Sequence, residues 1–391
     1  MNKITRRELF TITGAAGLGT ILSPLRADAA PDNPLPQVPR RTLGKTGEKI
    51  PILLMGGAMN LDQVFDPKLA ECLRFGVNYY DTADCYAGGK SETAVGNFVA
   101  LSKKRDAVWI TTKSDNHTPE GLEKVLFKSL EKLRTNHVDM FFMHQLTNEK
   151  YLNDDMAKMS EKLKKEGKIR HFGFSCHSSN VAELLTKASQ LSWIDAIMFR
   201  YNFRSYGDRE LNLAIDACHK AGVGLIAMKT QGSAVSFEGK VKQFENANFT
   251  KAQAVLKAVW SDERITAAVS HMDTLDKLKQ NIAAALNKTT LAQADFESLE
   301  QYAQATRHTY CEGCQHICGA AVPVEIEIGT TLRYLMYHDA YNEPEKARNL
   351  YAQLPETARR IEDVDFSKAV ELCPNGVDIA THMKRAAKTL A

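Results

Sequence analysis

Four cysteines near the C-terminal end, Cys311, Cys314, Cys318 and Cys373, carry the most specific chemistry in this 391-residue chain. The first three are spaced C-x2-C-x3-C, and the fourth opens Cys373-Pro374. Cysteine runs that end in Cys-Pro hold [4Fe–4S] clusters through their thiolates. Four sulfurs in a tetrahedron suit zinc as well, and disulfides or free thiols are the remaining readings. The order differs from the C-x3-C-x2-C of radical enzymes, which leave one iron open, so a fourth thiolate implies a closed cluster. Fifty-four residues separate Cys318 from Cys373, and only a folded segment can bring them together. Cys72, Cys85, Cys176 and Cys218 occur singly and read as core thiols.

A second set of residues has acid–base character: Asp81, Tyr86, Lys113 and His144. Each follows a short β-like run. Tyr86 donates a proton if a Lys113 cation beside it lowers its pKa, with Asp81 orienting the lysine. His144 is placed to hydrogen-bond an oxygen on which charge develops. Such a set fits reduction of a carbonyl or oxidation of an alcohol. Each residue also has a plain reading: Asp81-Thr82 as a helix cap, Lys113 as a solvated loop residue, His144 as a buried histidine.

The elements that must position them alternate along the chain. Strands are predicted at Ile50–Met55, Val77–Tyr80, Ala107–Thr111, Val138–Met143, His171–Ser175, Ala196–Phe199, Gly224–Met228 and Thr266–Val269. Between them come helical periods near Pro67–Phe75, Glu92–Leu101, Thr118–Leu133, Asp154–Glu166, Asn180–Ala188, Arg209–Ala221 and Lys251–Val259, with Leu275–Leu286 after the last strand. Eight strand–helix units in this length predict an α/β fold, the (β/α)8 TIM barrel, whose active site lies at the C-terminal ends of the strands. An open doubly wound sheet calls for a glycine-rich turn after its first strand, and Met55-Gly56-Gly57 does not complete that fingerprint.

The chain opens with Arg6-Arg7, a weakly apolar stretch to Leu22, and Ala27-Asp28-Ala29. This pattern predicts a twin-arginine signal peptide over residues 1–29, hence a periplasmic protein handled by the twin-arginine export machinery. Its removal takes four positive and two negative charges from a net +3, leaving about +1. That balance gives no support for a nucleic-acid partner.

The segment Tyr80-Asp81-Thr82-Ala83-Asp84-Cys85-Tyr86, then Gly89-Lys90-Ser91-Glu92 and Val95-Gly96, resembles the signature of the aldo/keto reductase family. Thr112-Lys113, Asp139–His144 and Gly167–Ser175 resemble its later motifs, so the likeness covers roughly residues 41–286. It implies an NADP- or NAD-dependent oxidoreductase working without metal on a small aldehyde, ketone or sugar-like carbonyl, or in reverse. The family tetrad falls on Asp81, Tyr86, Lys113 and His144. Its carboxamide-holding Ser-Asn has become Ser175-Cys176-His177, while Tyr201-Asn202 keeps the family pair. Phosphates belong near Lys229, Thr230, Gln231 and Gly232 and near Ser270, His271 and Met272. Lys277, Gln280 and above all Asn281 are adenosine contacts. No Lys-x-x-x-Arg set for a 2′-phosphate follows strand eight, so NADP and NAD both stay open.

These readings divide the chain into the leader, a barrel over 41–290, and a small, mostly helical extension over 291–391 that bears the four cysteines. The chain resembles a subgroup of these reductases with a twin-arginine leader and a C-terminal ferredoxin-like cysteine cluster. The cluster either ties the extension together or passes electrons to a redox partner. The alternative function is an exported iron–sulfur electron-transfer or scaffold protein on a retained barrel.

Overall fold

The computed structural model describes residues 35–178, 180–231, 249–339 and 343–391. The expected leader and Gly232 lie outside the described residues. Two short strands, β1 (Arg40–Thr42) and β2 (Lys49–Pro51), pair antiparallel ahead of the main sheet. Eight parallel strands then close a barrel: β3 (Leu53–Gly56), β4 (Tyr79–Asp81), β5 (Trp109–Ser114), β6 (Val138–Met143), β7 (Ile169–Cys176), β8 (Ala196–Arg200), β9 (Gly224–Met228) and β10 (Ala267–Ser270). β10 pairs with β3 to complete the ring. This is the expected (β/α)8 barrel.

The strands read as near-continuous apolar runs because both of their faces are buried. Leu54, Tyr79, Trp109, Met140 and Phe142 fill the barrel, while their neighbours Leu53, Tyr80, Ile110 and Phe141 face the helices. That alternation is the two-residue period of a strand. The helices start at side-chain caps: Asp66, Thr118, Asn153, Asp208 and Thr274 each accept a backbone N–H of the first turn.

The expected strand Ile50–Met55 is two strands, a correction with a purpose. Its first half belongs to the hairpin, whose Leu43 and Ile50 join the residues inside the barrel and stop its N-terminal end. Arg41 anchors this plug by donating to the carbonyls of Trp260, Asp262 and Ile265. A plugged base leaves the opposite end as the place for a site.

The extension begins with α9 (Gln293–Ala305), whose Leu299 and Tyr302 pack on Phe203 beyond β8. It continues through α11 (Ile328–Asp339), α12 (Pro344–Ala352), the short α14 (Ser367–Glu371) and α15 (Ile379–Leu390). Cys318, Ile328, Leu332, Phe366, Ile379 and Met383 form its own apolar core. The long cysteine gap closes through hydrogen bonds. Asn375 donates to the Tyr310 carbonyl at 3.0 Å, and Arg307 donates to the Pro374 carbonyl and to Asn375.

Gly173 marks the tightest strand contact. A Cβ there would lie 1.8 Å from the Ala196 carbonyl oxygen on the adjacent strand. Gly173→Ala is therefore expected to destabilise the barrel by about 2 kcal/mol or more, read as a lower denaturation midpoint. An unchanged midpoint would contradict this packing.

Candidate active site

Four strand ends converge at the open mouth. Lys113, at the end of β5, is 1% exposed, and its Nζ lies 2.7 Å from Oδ1 of Asp81, itself 4% exposed, at the end of β4. The same ammonium donates to the Thr82 carbonyl at 2.8 Å and sits 3.5 Å from the Tyr86 hydroxyl. His144, just past β6, meets the Tyr86 ring edge-on at a centroid distance of 5.5 Å. The four acid–base residues thus form one cluster. Asp81 caps no helix, and Lys113 is not a solvated loop residue.

The loop carrying Tyr86 is held by the residues of its own motif. Gly88 and Gly89 take φ of 65° and 84°, turning the chain into α2 (Lys90–Ser102). Ser91 donates to the Gly57 carbonyl and accepts from Thr82, both at 2.8 Å. Buried Glu92 accepts from Thr112, next to Lys113, at 2.6 Å and pairs with Lys132. The Gly-Lys-Ser-Glu run is therefore the brace that ties β4, β5 and the Tyr86 loop together.

Burial raises the Asp81 carboxyl above its ordinary value, against the opposing charges of Lys113 and His144. Burial, then the negative charge of Asp81, pushes the Tyr86 hydroxyl well above the ordinary phenol value. This corrects the expectation that Lys113 lowers it. The lysine charge is matched by Asp81, and desolvation of a phenolate outweighs what attraction remains. Tyr86 accordingly stays a proton-bearing phenol at neutral pH.

Asp81 and Tyr86 open into a cavity of about 470 Å3. Its walls include Met198, Met228, Lys229, Thr230, Gln231, Ser270, Lys277, Gln280 and Asn281. Ser270 donates to Gln231 Oε1 at 2.6 Å, Asn281 donates to Ser270 at 2.9 Å, and Gln231 donates back to Asn281 Oδ1 at 3.1 Å. Lys229 occupies a left-handed position at φ 60°, and the charges that act on it among the described residues are the cations Arg333, Lys346 and Arg200. Its side chain is exposed through the open cavity. Burial, followed by Arg333, Lys346 and Arg200, lowers its ammonium to about 8.

Ser175, Cys176 and Tyr201 do not line this cavity. The Ser175 hydroxyl accepts the Gln145 N–H, and Cys176 faces the helix layer with its thiol 3.1 Å from Ser178. Tyr201 also points into that layer and donates to Asp262 at 2.6 Å. Its neighbour Asn202 donates to the Lys229 carbonyl at 3.0 Å, so the Tyr-Asn pair shapes the cavity from behind.

Tyr337, Glu343 and Lys346 of the extension complete the cavity wall. No motif or periodicity points to them, because a residue's contact with a mouth built far earlier in the chain leaves no local trace. The extension is clasped to the mouth by Arg200 at the end of β8, which donates to the Glu312 carbonyl at 2.5 Å and its carboxylate at 3.1 Å. Arg204 adds a stacking contact over Tyr310 at 4.6 Å. Just beyond, Cys311, Cys314, Cys318 and Cys373 line one small cavity together.

The sequence profile described as the Aldo/keto reductase family matches residues 53–304. The chain belongs to the aldo/keto reductase family. It is an oxidoreductase of that type. It is 25% identical over 269 residues to an uncharacterized oxidoreductase, YqkF, of Bacillus subtilis, an alignment covering 60% of this chain and 86% of that one. It is 22% identical over 266 residues to the aldo-keto reductase yakc [NADP(+)] of Schizosaccharomyces pombe, covering 59% and 75%. The holo form of aldo-keto reductase AKR11C1 from Bacillus halodurans shares the fold, with a TM-score of 0.57 at 22% identity over 68% of this chain and 96% of that one. The family match ends at residue 304, ahead of the first tail cysteine.

Lys229 gives a pH-dependent expectation for the ligand-free protein. A lysine whose folded pKa is depressed to about 8 from 10.5 weakens the fold while it is charged, and stability rises as pH passes upward through that interval. Lys229→Met should melt slightly higher than wild type at pH 7, the gain kept small because water screens the exposed side chain, with the advantage shrinking above pH 8. Equal melting temperatures at pH 7 would refute the crowding of cations.

Proposed function

We propose that this enzyme reduces the carbonyl of a small aldehyde, ketone or sugar-like compound with NADP(H) or NAD(H). The observation that carries this reading is the Lys113 ammonium set between Asp81 and the Tyr86 hydroxyl at the floor of the cavity. Withdrawing an ion pair from water is costly, and a scaffold has no need of one. This favours an enzyme over a retained, inactive barrel.

A bound dinucleotide supplies the hydride. The chain's residues fit it: Lys229 offers an unmatched cation for a diphosphate, and Ser270, Gln231 and Asn281 offer donors and acceptors beside it. Tyr86 gives its proton to the carbonyl oxygen as the carbon is reduced, so the product is the alcohol. Lys113 stabilises the phenolate left behind, and Asp81 holds Lys113 in place. His144 stabilises charge on the same oxygen. The name of the yeast relative, which specifies NADP(+), supports the phosphorylated cofactor.

We further propose that Cys311, Cys314, Cys318 and Cys373 hold a [4Fe–4S] cluster that fastens the extension. Their shared cavity supports this, as does the Val377 N–H donated to Cys373 Sγ at 3.4 Å. The paired arginines at Arg6-Arg7 and the Ala27-Asp28-Ala29 site support twin-arginine export to the periplasm, a route that carries folded, loaded proteins.

Tyr86→Phe should lower carbonyl reduction by about 10²-fold or more while leaving dinucleotide affinity within twofold. Unchanged turnover would remove Tyr86 as the acid. Cys314→Ser, purified without oxygen, should lose iron and the visible absorbance of the cluster. A full complement of iron and sulfide would rule out that ligand.

A further inference from the structure

The extension carries charge into the cavity that the barrel opens. Besides Asp81, which Lys113 matches at 2.7 Å, the charged side chains lining it are Lys229, Lys277, Lys346 and Glu343. Lys229 follows β9, Lys277 lies in the helix Leu275–Leu286, and Lys346 belongs to α12 of the extension. Lys346 stands beyond residue 304, where the family match ends. This part of the wall therefore comes from outside the barrel.

Two contacts hold the Lys346 ammonium at the cavity. Its Nζ lies 2.8 Å from the Glu343 carboxylate and 5.1 Å from the centre of the Tyr337 ring on α11. Glu343 is itself fixed: its backbone N–H donates to the Tyr337 carbonyl at 3.0 Å, and its Oε1 lies 3.9 Å from Nε2 of His271, just past β10. The same His271 nitrogen is 3.8 Å from Asp273, whose carboxylate pairs with Lys277 at 2.8 Å. A line of polar contacts thus runs from the barrel, through Lys277, Asp273 and His271, to Glu343 and Lys346. Lys346 is at the extension end of that line, and after burial and Arg333 its charge is the next to lower the Lys229 ammonium.

Two ammoniums that face one cavity repel each other unless an anion lies between them. A lysine has three N–H donors and no acceptor. Glu343 engages Lys346 from one side, and donors remain for a ligand. The side chain is 41% exposed, so it can reach one without leaving a buried position. A diphosphate carries two negative charges at neutral pH, which two ammoniums match. We propose that Lys346 is a phosphate-binding residue of the dinucleotide site, taking the diphosphate from the extension side while Lys229 takes it from the barrel side. Glu343 is then a positioning residue that keeps the Lys346 ammonium at the cavity. This rests on the dinucleotide-dependent reading above. It gives the extension a direct part in holding the cofactor.

The test uses the full-length protein, purified without oxygen and freed of bound nucleotide, with Lys346→Met and Lys346→Arg. Lys368→Met is the matched control: this lysine of the extension also pairs with a glutamate three residues away, at 2.9 Å, but does not line the cavity. Dissociation constants for NADPH and for NADH are measured by quenching of protein fluorescence, with no carbonyl substrate present. Lys346→Met should weaken both nucleotides by about tenfold and make binding less sensitive to salt. Lys346→Arg should keep most of the affinity, Lys368→Met all of it, and the nucleotide-free melting temperatures should stay near wild type. Equal affinities in wild type and Lys346→Met would overturn the proposal, as would the same loss in Lys368→Met. A loss confined to NADPH would also overturn it, by moving Lys346 from the diphosphate to the 2′-phosphate. Wild-type protein that binds neither nucleotide would bring down the dinucleotide-dependent reading and this proposal with it.

Discussion

A lysine and an aspartate almost wholly removed from solvent stand at the mouth of this barrel, 2.7 Å apart. Neither would be stable there alone, since an uncompensated buried charge costs several kcal/mol. The pair therefore constrains what surrounds it. β4 and β5 must lie in register so that Asp81 faces Thr111, Tyr86 must stay within reach of the ammonium, and Thr82 must turn its carbonyl inward. Ser91, Glu92 and Thr112 maintain that arrangement through short hydrogen bonds to the same two strands. The β10–β3 pairing closes the ring that fixes this register, and the hairpin fills its far end.

The same pair separates the roles of its neighbours. With the Lys113 charge matched, Tyr86 remains a phenol and is suited to give a proton. His144 stands beside it, with Nδ1 3.0 Å from Asp115. Across the cavity the balance is different. Among the described residues Lys229 has no counter-ion, and the charges of Arg333, Lys346 and Arg200 lie near it, an arrangement that favours an anionic ligand.

The extension matters because it is part of the wall. Tyr337, Glu343 and Lys346 face the cavity, and the Arg200–Glu312 clasp joins the end of β8 to the residue after Cys311. A small helical addition with limited apolar core gains from a cross-link at its base. The cysteine cavity lies at that base, between the clasp and α15. The cysteine cavity is thus joined to one side of the mouth through Glu312.

Strand and helix periods were legible residue by residue: Val138–Met143, Gly224–Met228 and Leu275–Leu286 were read at their observed bounds, and the barrel followed from their alternation. The positions of Asp81, Tyr86, Lys113 and His144 after successive strands were legible too, since a parallel barrel places every strand end at one mouth. Cys176 and Tyr201 were named from a pattern that does not say which way each side chain turns, and both pack into the helix layer. The state of Tyr86 was misjudged because a pKa is set by burial and by competing charges, and neither is a local property. Sequence by itself determined the fold class, the spacing of the acid–base residues and the presence of four cysteines able to act together. Tertiary structure alone decided that Asp81 neutralises Lys113, that Asp115 engages His144, and that the extension completes the cavity. Those outcomes rest on long-range contacts among elements that local propensity does not encode.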